Sequence, residues 1–380
     1  MFAISEMVKS ILGSERSQRK LSPPTDSIKM HMGEPDFPTP MHIQEAATRA
    51  MRDGFTHYGN AFGDPQLREA VCMSLERDYG VETSPDHVLV TAGGIEAIHI
   101  ISATYLNPGN EVLVADPGYS AYADSVTLFG GRPVPVPLTD RFHLDLDGLR
   151  EAVTDKTKMV FLSNPGNPTG AVFSKEEIRG IATIAAERDL LLVVDEVYHK
   201  LLYGGIRHFS ICEVEDVKDR AILVNSFSKT YAMTGWRVGY LVAHPAIVKD
   251  LVRFHKALVI CANTVAQKAS VAALTGPQDS VEAMRTEYNE RRLLVEKALN
   301  GIAGVQTQPC EGAFYLFPRF EHRVTSKEMT SYLSEKGVLV RSGTEFGERG
   351  ESHVRLSFTT TSEELERGME RFKRALDDIE

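Results

Sequence analysis

Between residues 88 and 243 the chain alternates strand-length apolar runs with longer helical stretches, and this rhythm limits the possible folds most. Val88–Thr91, Glu111–Ala115, Met159–Ser163, Leu190–Val194, Ala221–Asn225 and Val238–Ala243 read as strands, with helices expected over Ile95–Tyr105, Tyr119–Phe129 and Lys175–Arg188. A strand that is apolar on both faces has no side to turn to water. It belongs in a mostly parallel central sheet sandwiched by helices, the α/β class. Ligands of such sheets sit beyond the strand ends. With 380 residues the chain exceeds what one core usually serves, so a second, smaller unit is expected. After Pro277 the pattern changes to a long charged helix (Ser280–Leu299), a short apolar segment (Ala313–Phe317), a helix (Ser326–Glu335), a strand (Val354–Phe358) and a final helix from Ser362. These predict a smaller α+β domain. The expected division is 1–45 as an arm and part of the small domain, 46–285 as the large domain and 286–380 as the C-terminal small domain. A break at Ser22-Pro23-Pro24 would let the arm fold back onto the small domain.

Composition excludes several classes. A net charge of −10 argues against a nucleic-acid partner, because nothing concentrates Lys and Arg into a phosphate-binding face. Cys72, Cys212, Cys261 and Cys310 are scattered without a CxxC pair, and are expected as buried free thiols in a reducing compartment. The stretch Met1 to Leu12 carries Glu6 and Lys9 and does not read as a signal peptide, and no apolar run reaches membrane-spanning length. The expectation is a cytoplasmic protein with no membrane partner and no metal site.

Four constellations bear on chemistry. Asp195 follows the apolar run Leu191-Leu192-Val193-Val194 and so stands at the tip of a buried strand, where a carboxylate needs a cation or hydrogen bonds. Taken alone, such an acid is more often a helix cap or an ion pair. Ser226-Phe227-Ser228-Lys229 closes the strand Ala221–Asn225, with Arg237 shortly after. A lysine there is an imine nucleophile if desolvation and a neighbouring cation lower its pKa. Most lysines after strands are simply solvated, but a hydroxyl and a guanidinium together suit a bound phosphate. Thr91-Ala92-Gly93-Gly94-Ile95 joins a strand to a helix start, an anion cradle or merely a tight turn. Asn164-Pro165-Gly166-Asn167-Pro168-Thr169-Gly170 is a stiff loop that aims amide side chains, or only a connection. Neither GxGxxG nor GxxxxGK[ST] occurs, which removes the main support for dinucleotide and P-loop readings.

In this order, together with Gly33-Glu34-Pro35-Asp36-Phe37, His57-Tyr58-Gly59, Thr234-Gly235-Trp236-Arg237-Val238-Gly239 and Arg355-Leu356-Ser357-Phe358, these segments resemble the fold-type I pyridoxal-phosphate (PLP) enzymes. The likeness is to the aspartate/aromatic branch of the class I and II aminotransferases, and it runs from near residue 30 to near 360. The resemblance implies the PLP-dependent transferase fold, with Lys229 holding the cofactor as a Schiff base and shuttling a proton. It implies Asp195 on the pyridine nitrogen, and Tyr198 and Asn167 on the ring oxygen. Gly93, Gly94 and Ile95 backbone groups, Ser226 and Arg237 would take the phosphate, with Ser228 ranked below Ser226. Tyr119 would stack on the ring, Arg355 would clamp the substrate α-carboxylate, and Gly33 would lie beside that carboxylate. Tyr58 would reach in from a second subunit, making the enzyme a homodimer with active sites at the interface.

The implied reaction is transfer of an amino group between an L-amino acid and a 2-oxo acid, in ping-pong fashion. C–S β-elimination or a synthase-type elimination on the same fold is the alternative. A dicarboxylate substrate needs a second cation, and no motif supplies one. Arg16, Arg19, Lys20, Lys256 and Lys268 are candidates, although all five also read as ordinary surface charges. A regulator of this fold would carry a DNA-binding module ahead of it. A degenerate binding protein would lack Lys229, Asp195 or Arg355, and the chain has all three.

Overall fold

A computed structural model describes residues 3–5, 7, 9 and 24–379. Arg16, Arg19, Lys20 and the Ser22-Pro23 step lie outside the described residues. The chain passes β1 (Ile28–Lys29), α1 (Met41–Arg52) and α2 (Pro65–Tyr79) before entering the main sheet at β2 (Val88–Thr91). There follow α3 (Gly94–Tyr105), β3 (Glu111–Asp116), α4 (Ser120–Leu128), β4 (Arg132–Pro137), α5 (Leu146–Ala152), β5 (Thr157–Ser163) and α6 (Lys175–Glu187). Next come β6 (Leu191–Asp195), β7 (Ala221–Ser226), the one-turn α7 (Phe227–Thr230) and β8 (Gly239–Ala243).

Seven strands form this sheet in the order β2-β8-β7-β6-β5-β3-β4, and β8 alone runs against the rest. The alternation of side chains explains why the strands are apolar on both faces. Val160, Leu162, Leu192, Val194 and Leu223 enter a core on one side of the sheet. Met159, Phe161, Val193, Ile222 and Val224 enter another core on the opposite side. Helices cover both. In α6, Ser174 and Glu177 form a reciprocal cap, and Ile178, Ile181, Ala182 and Ala185 make the buried stripe.

The strand β4 is absent from the sequence expectation because its run Arg-Pro-Val-Pro-Val-Pro looks like a breaker. It lies at the edge of the sheet, beside β3. Arg132 donates its N–H to Asn110 O (2.7 Å) and Leu138 donates to Asp116 O (3.1 Å), so the even-numbered N–H groups face the ladder. Pro133, Pro135 and Pro137 fall on the outward side, where no partner strand waits among the described residues and a missing N–H costs little.

After the sheet come α8 (Pro245–Val259), α9 (Thr264–Thr275) and the 22-residue α10 (Asp279–Asn300). Short strands β9 (Val305–Gln306), β10 (Tyr315–Leu316) and β11 (Arg319–Phe320) precede α11 (Ser326–Glu335). The chain ends with β12 (Val338–Leu339), β13 (Arg341–Ser342), β14 (Val354–Ser357) and α12 (Ser362–Asp377). β10, β14 and β13 form an antiparallel sheet in that order, and β9 pairs with β11. The N-terminal segment joins this part of the molecule: β1 pairs in parallel with β12, and Ile28 and Met30 enter its core. Ser357 N–H donates to Met30 O at 2.8 Å.

All four cysteines are free, but only Cys72 and Cys310 are buried; Cys212 and Cys261 are partly exposed. Among the described residues no helix is long and apolar enough to cross a membrane.

Candidate active site

The four constellations read from the sequence, with Tyr119, sit at one end of the sheet, beyond the carboxyl ends of β2, β3, β5, β6 and β7. The last strand, β8, runs the other way, so its beginning reaches the same end. Gly239 at that beginning is required by close approach: a Cβ there would lie 2.8 Å from Asn225 O and 2.9 Å from Gly94 N. A cavity of about 430 Å³ opens here between the sheet end and the C-terminal strands. Gly33, Gly94, Ile95, Tyr119, Asn167 and Asp195 line it, as do Tyr198, Ser226, Lys229, Arg237 and Arg355. Gly93 stands immediately behind Arg237. Its φ is +86°, and a Cβ would come 2.7 Å from Arg237 Nη2, so only glycine leaves the guanidinium in place. Tyr58 is not in the cavity; it is 80% exposed on the surface.

Asp195 ends β6 and Glu196 begins the next turn, and the alternation sends them to different places. Asp195 faces the cavity, where it accepts a hydrogen bond from Tyr122 Oη (3.0 Å) and one from Val197 N–H (3.2 Å). Burial raises its pKa to about 6, partly offset by these two donors and by Lys229. Glu196 is fully buried behind the strand and accepts from Ile211 N–H at 2.8 Å. Burial lifts its pKa to about 8, so it is a protonated structural group at neutral pH. Tyr122 was not singled out by the sequence. It lies one helical turn after Tyr119, meets it edge-on at 5.5 Å, and stacks on Phe161 at 5.5 Å and 15°. An i, i+3 aromatic pair at a helix start was the available signal.

Lys229 is carried by α7, which Ser226 caps by accepting Ser228 N–H. Its ammonium donates to Gly33 O at 2.5 Å. Burial lowers its pKa to about 8; Arg355 and Arg237 push the same way, against Glu34 and Asp195. The neighbouring cations thus act in the direction expected from the sequence, but desolvation is the larger cause. Ser226 Oγ donates to Ser228 Oγ (2.8 Å), and Arg237, at φ +53°, donates to Thr234 O (2.8 Å).

Arg355 lies on β14 and is fixed from two sides. Nη1 donates to Asn167 Oδ1 (3.1 Å), Nη2 donates to His31 O (2.8 Å), and Nε has no hydrogen-bond partner among the described residues. Its guanidinium lies over the ring of Tyr315, 4.3 Å from the centroid. Tyr315 was also missed, because Ala313–Phe317 reads as ordinary core. Its hydroxyl pairs with that of Tyr198 at 2.9 Å and sets the need for Gly33, where a Cβ would come 2.2 Å from Tyr315 Oη.

Of the candidate second cations, Arg16, Arg19 and Lys20 lie outside the described residues, and the two that are described, Lys256 and Lys268, do not line this cavity. Lys268 is paired with Asp64 at 2.7 Å, and Lys256 is exposed on α8. What the sequence did not flag is Arg341 on β13, which lines the cavity and is ion-paired with Glu345.

Residues 25–372 match the aminotransferase class I and II family. The chain belongs to the class I and II aminotransferases. It is 41% identical over 358 residues to an aspartate aminotransferase of Pyrococcus abyssi, covering 92% of both chains. Identity to the aromatic-amino-acid aminotransferase 2 of Thermococcus litoralis is 40% over 356 residues, 92% of this chain and 91% of the relative. The crystal structure of an aromatic aminotransferase from Pyrococcus horikoshii superposes with a TM-score of 0.91 at 41% identity, covering 93% of this chain and 96% of that one. The protein is thus a PLP-dependent aminotransferase with the fold expected from its sequence, and amino-group transfer is favoured over the elimination kept open above.

Proposed function

We propose that the cavity is where the amino group moves, with Lys229 as the residue that holds PLP and handles the proton. The observation that carries this is the placement of a buried lysine, with its pKa near 8, and a buried carboxylate in one cavity. The residues fit the cofactor at both ends. At one end the start of α3, the glycine that leaves room for Arg237, and Ser226 form an anion cradle for its phosphate. At the other, Asp195 offers a carboxylate to a ring N–H. PLP supplies there an aldehyde carbon that accepts the amino group and a pyridine ring that takes up electron density as the Cα proton leaves.

The chain's own groups do the rest. Lys229 is the amine that would hold the cofactor through its aldehyde carbon and, when free, would carry a proton to and from substrate Cα. Asp195 would keep the ring nitrogen protonated, and Tyr122 holds Asp195 in line. Tyr198 and Asn167 would donate to the ring oxygen, and Tyr119 would cover a ring face. Arg355 offers its planar fork to the substrate α-carboxylate, with Tyr315 and Asn167 fixing the fork's orientation.

We further propose a homodimer. Tyr58 is exposed, as are Phe55, Leu258, Val259 and Ile260, and Gly59 N–H donates to Cys261 Sγ at 3.3 Å while Thr264 Oγ1 donates to Phe55 O at 2.7 Å, which brings the 55–59 and 261–264 segments together. Exposed apolar side chains on adjoining segments suit a second copy, whose Tyr58 would reach the first copy's phosphate site. We propose the same domain division, with 1–45 as an arm and part of the small domain, 46–285 as the large domain and 286–380 as the C-terminal small domain. A cytoplasmic location accords with four free thiols.

The test is the absorbance spectrum of the purified protein during addition of single amino acids. Loss of the cofactor's visible band on addition of a donor, and its return with a 2-oxo acid, is the expected result. Pyruvate release without that reversible change would move the reaction to elimination.

A further inference from the structure

Beside the clamp formed by Arg355 lies a second guanidinium that the roles assigned so far leave unused. Strands β13 and β14 are antiparallel with Arg341 directly opposite Arg355, and both side chains face the cavity. Like charges in register across a ladder repel unless something intervenes. Glu345 intervenes: it is ion-paired with Arg341 and also accepts Ser342 N–H (3.3 Å), which caps its own turn. The two partners are unequally placed. Glu345 side chain is only 6% exposed and is held by its turn, whereas Arg341 side chain is 26% exposed on the open side. One guanidinium nitrogen, Nη1, is used on Glu345, out of a group that carries five N–H donors. The neighbouring walls, Phe346 and Tyr315, are aromatic and buried, so a charge brought here is poorly screened by water.

We propose that Arg341 reads the side chain of the substrate, binding the distal carboxylate of a dicarboxylic amino acid or 2-oxo acid. Glu345 serves as the counter-charge that keeps Arg341 satisfied when the site is empty or holds an uncharged side chain. Charge balance supports this choice. Arg355, Arg341 and Glu345 together carry one net positive charge, and an amino acid with a distal carboxylate carries one net negative charge. A cationic side chain would face two guanidinia and is disfavoured. The inference rests on the assignment of Arg355 to the α-carboxylate.

The test compares glutamate with glutamine, which differ in charge but hardly in shape, as donors for the holoenzyme. The wild-type enzyme should prefer glutamate in kcat/KM. Arg341→Met should lower that preference roughly 10- to 100-fold, as expected for one charge-assisted pair. Arg341→Lys, which keeps the charge but loses the fork, should lower it less. Glu345→Gln should raise it, by removing the anion that competes for Arg341. Calorimetry with non-reacting succinate and butyrate gives a readout independent of turnover: Arg341→Met should lower the ratio of their affinities by a similar factor. An Arg341→Met enzyme with an unchanged glutamate preference and an unchanged succinate-to-butyrate ratio overturns the proposal. So does a fall in the preference on Glu345→Gln. Failure of the underlying assignment looks different: Arg355→Lys would then leave butyrate binding untouched.

Discussion

Replacing Gly33 by alanine should damage the enzyme through one atom. The new methyl would stand 2.2 Å from Tyr315 Oη, 3.2 Å from Cζ and 3.4 Å from Cε1. Tyr315 cannot retreat cheaply, because it is 2% exposed, edge-packed on Phe314 at 4.8 Å and covered by Arg355. Overpacking of this kind costs about 1–3 kcal/mol. Tyr315→Phe alone leaves the buried Tyr198 hydroxyl without its 2.9 Å partner, at about 1–2 kcal/mol. In the double variant the offending oxygen is gone and the nearest atom lies at 3.2 Å, tight but tolerable. The two changes should therefore be less than additive, by about 1–2 kcal/mol. Urea titrations can follow this through Trp236, the chain's one tryptophan, which donates to Thr39 Oγ1 at 2.9 Å near the site. Strict additivity, or a Gly33→Ala protein as stable as wild type, would refute the argument that Tyr315 is what demands glycine.

Other consequences can be measured separately. Because burial places the Lys229 pKa near 8 rather than 10.5, the cofactor-free protein at pH 7 holds about 300-fold more reactive amine than an ordinary lysine would. Its rate of PLP capture should rise with pH and level off above about 8; a rise continuing to 10 would contradict this. Tyr122→Phe removes a donor that favours the Asp195 carboxylate, so Asp195 should titrate above its present value of about 6. The acid limb of capture or turnover should then move to higher pH, and a limb that stays put would free Tyr122 of that role. Arg355→Lys should weaken amino-acid binding roughly 10- to 100-fold and PLP binding much less, as measured by separate titrations. Equal weakening of both would place Arg355 elsewhere.

How much of this could be seen in the sequence follows from which interactions are local. Strands buried on both faces announce themselves by composition, so the sheet and its order of elements were legible. β4 was not, since its prolines read as breaks until an edge position makes them harmless. Gly93, Gly94, Ser226, Lys229 and Arg237 could be found because each lies at a strand end within a short motif. Tyr315 and Arg341 could not. Their meaning arises only when β10, β13 and β14 fold against the sheet end, bringing together residues more than a hundred positions apart in sequence. Lys268 is the opposite case: of its two readings, second cation or ordinary surface charge, its pairing with Asp64 favours the latter.

The central claim is that Lys229 is the residue bonded to the cofactor. Borohydride reduction of the holoenzyme, digestion and mass spectrometry of the peptides would locate the bond directly. The account predicts the cofactor's mass on the peptide containing Lys229, and no labelled peptide from Lys229→Ala. Label on any other lysine, or the same label in Lys229→Ala, would contradict it.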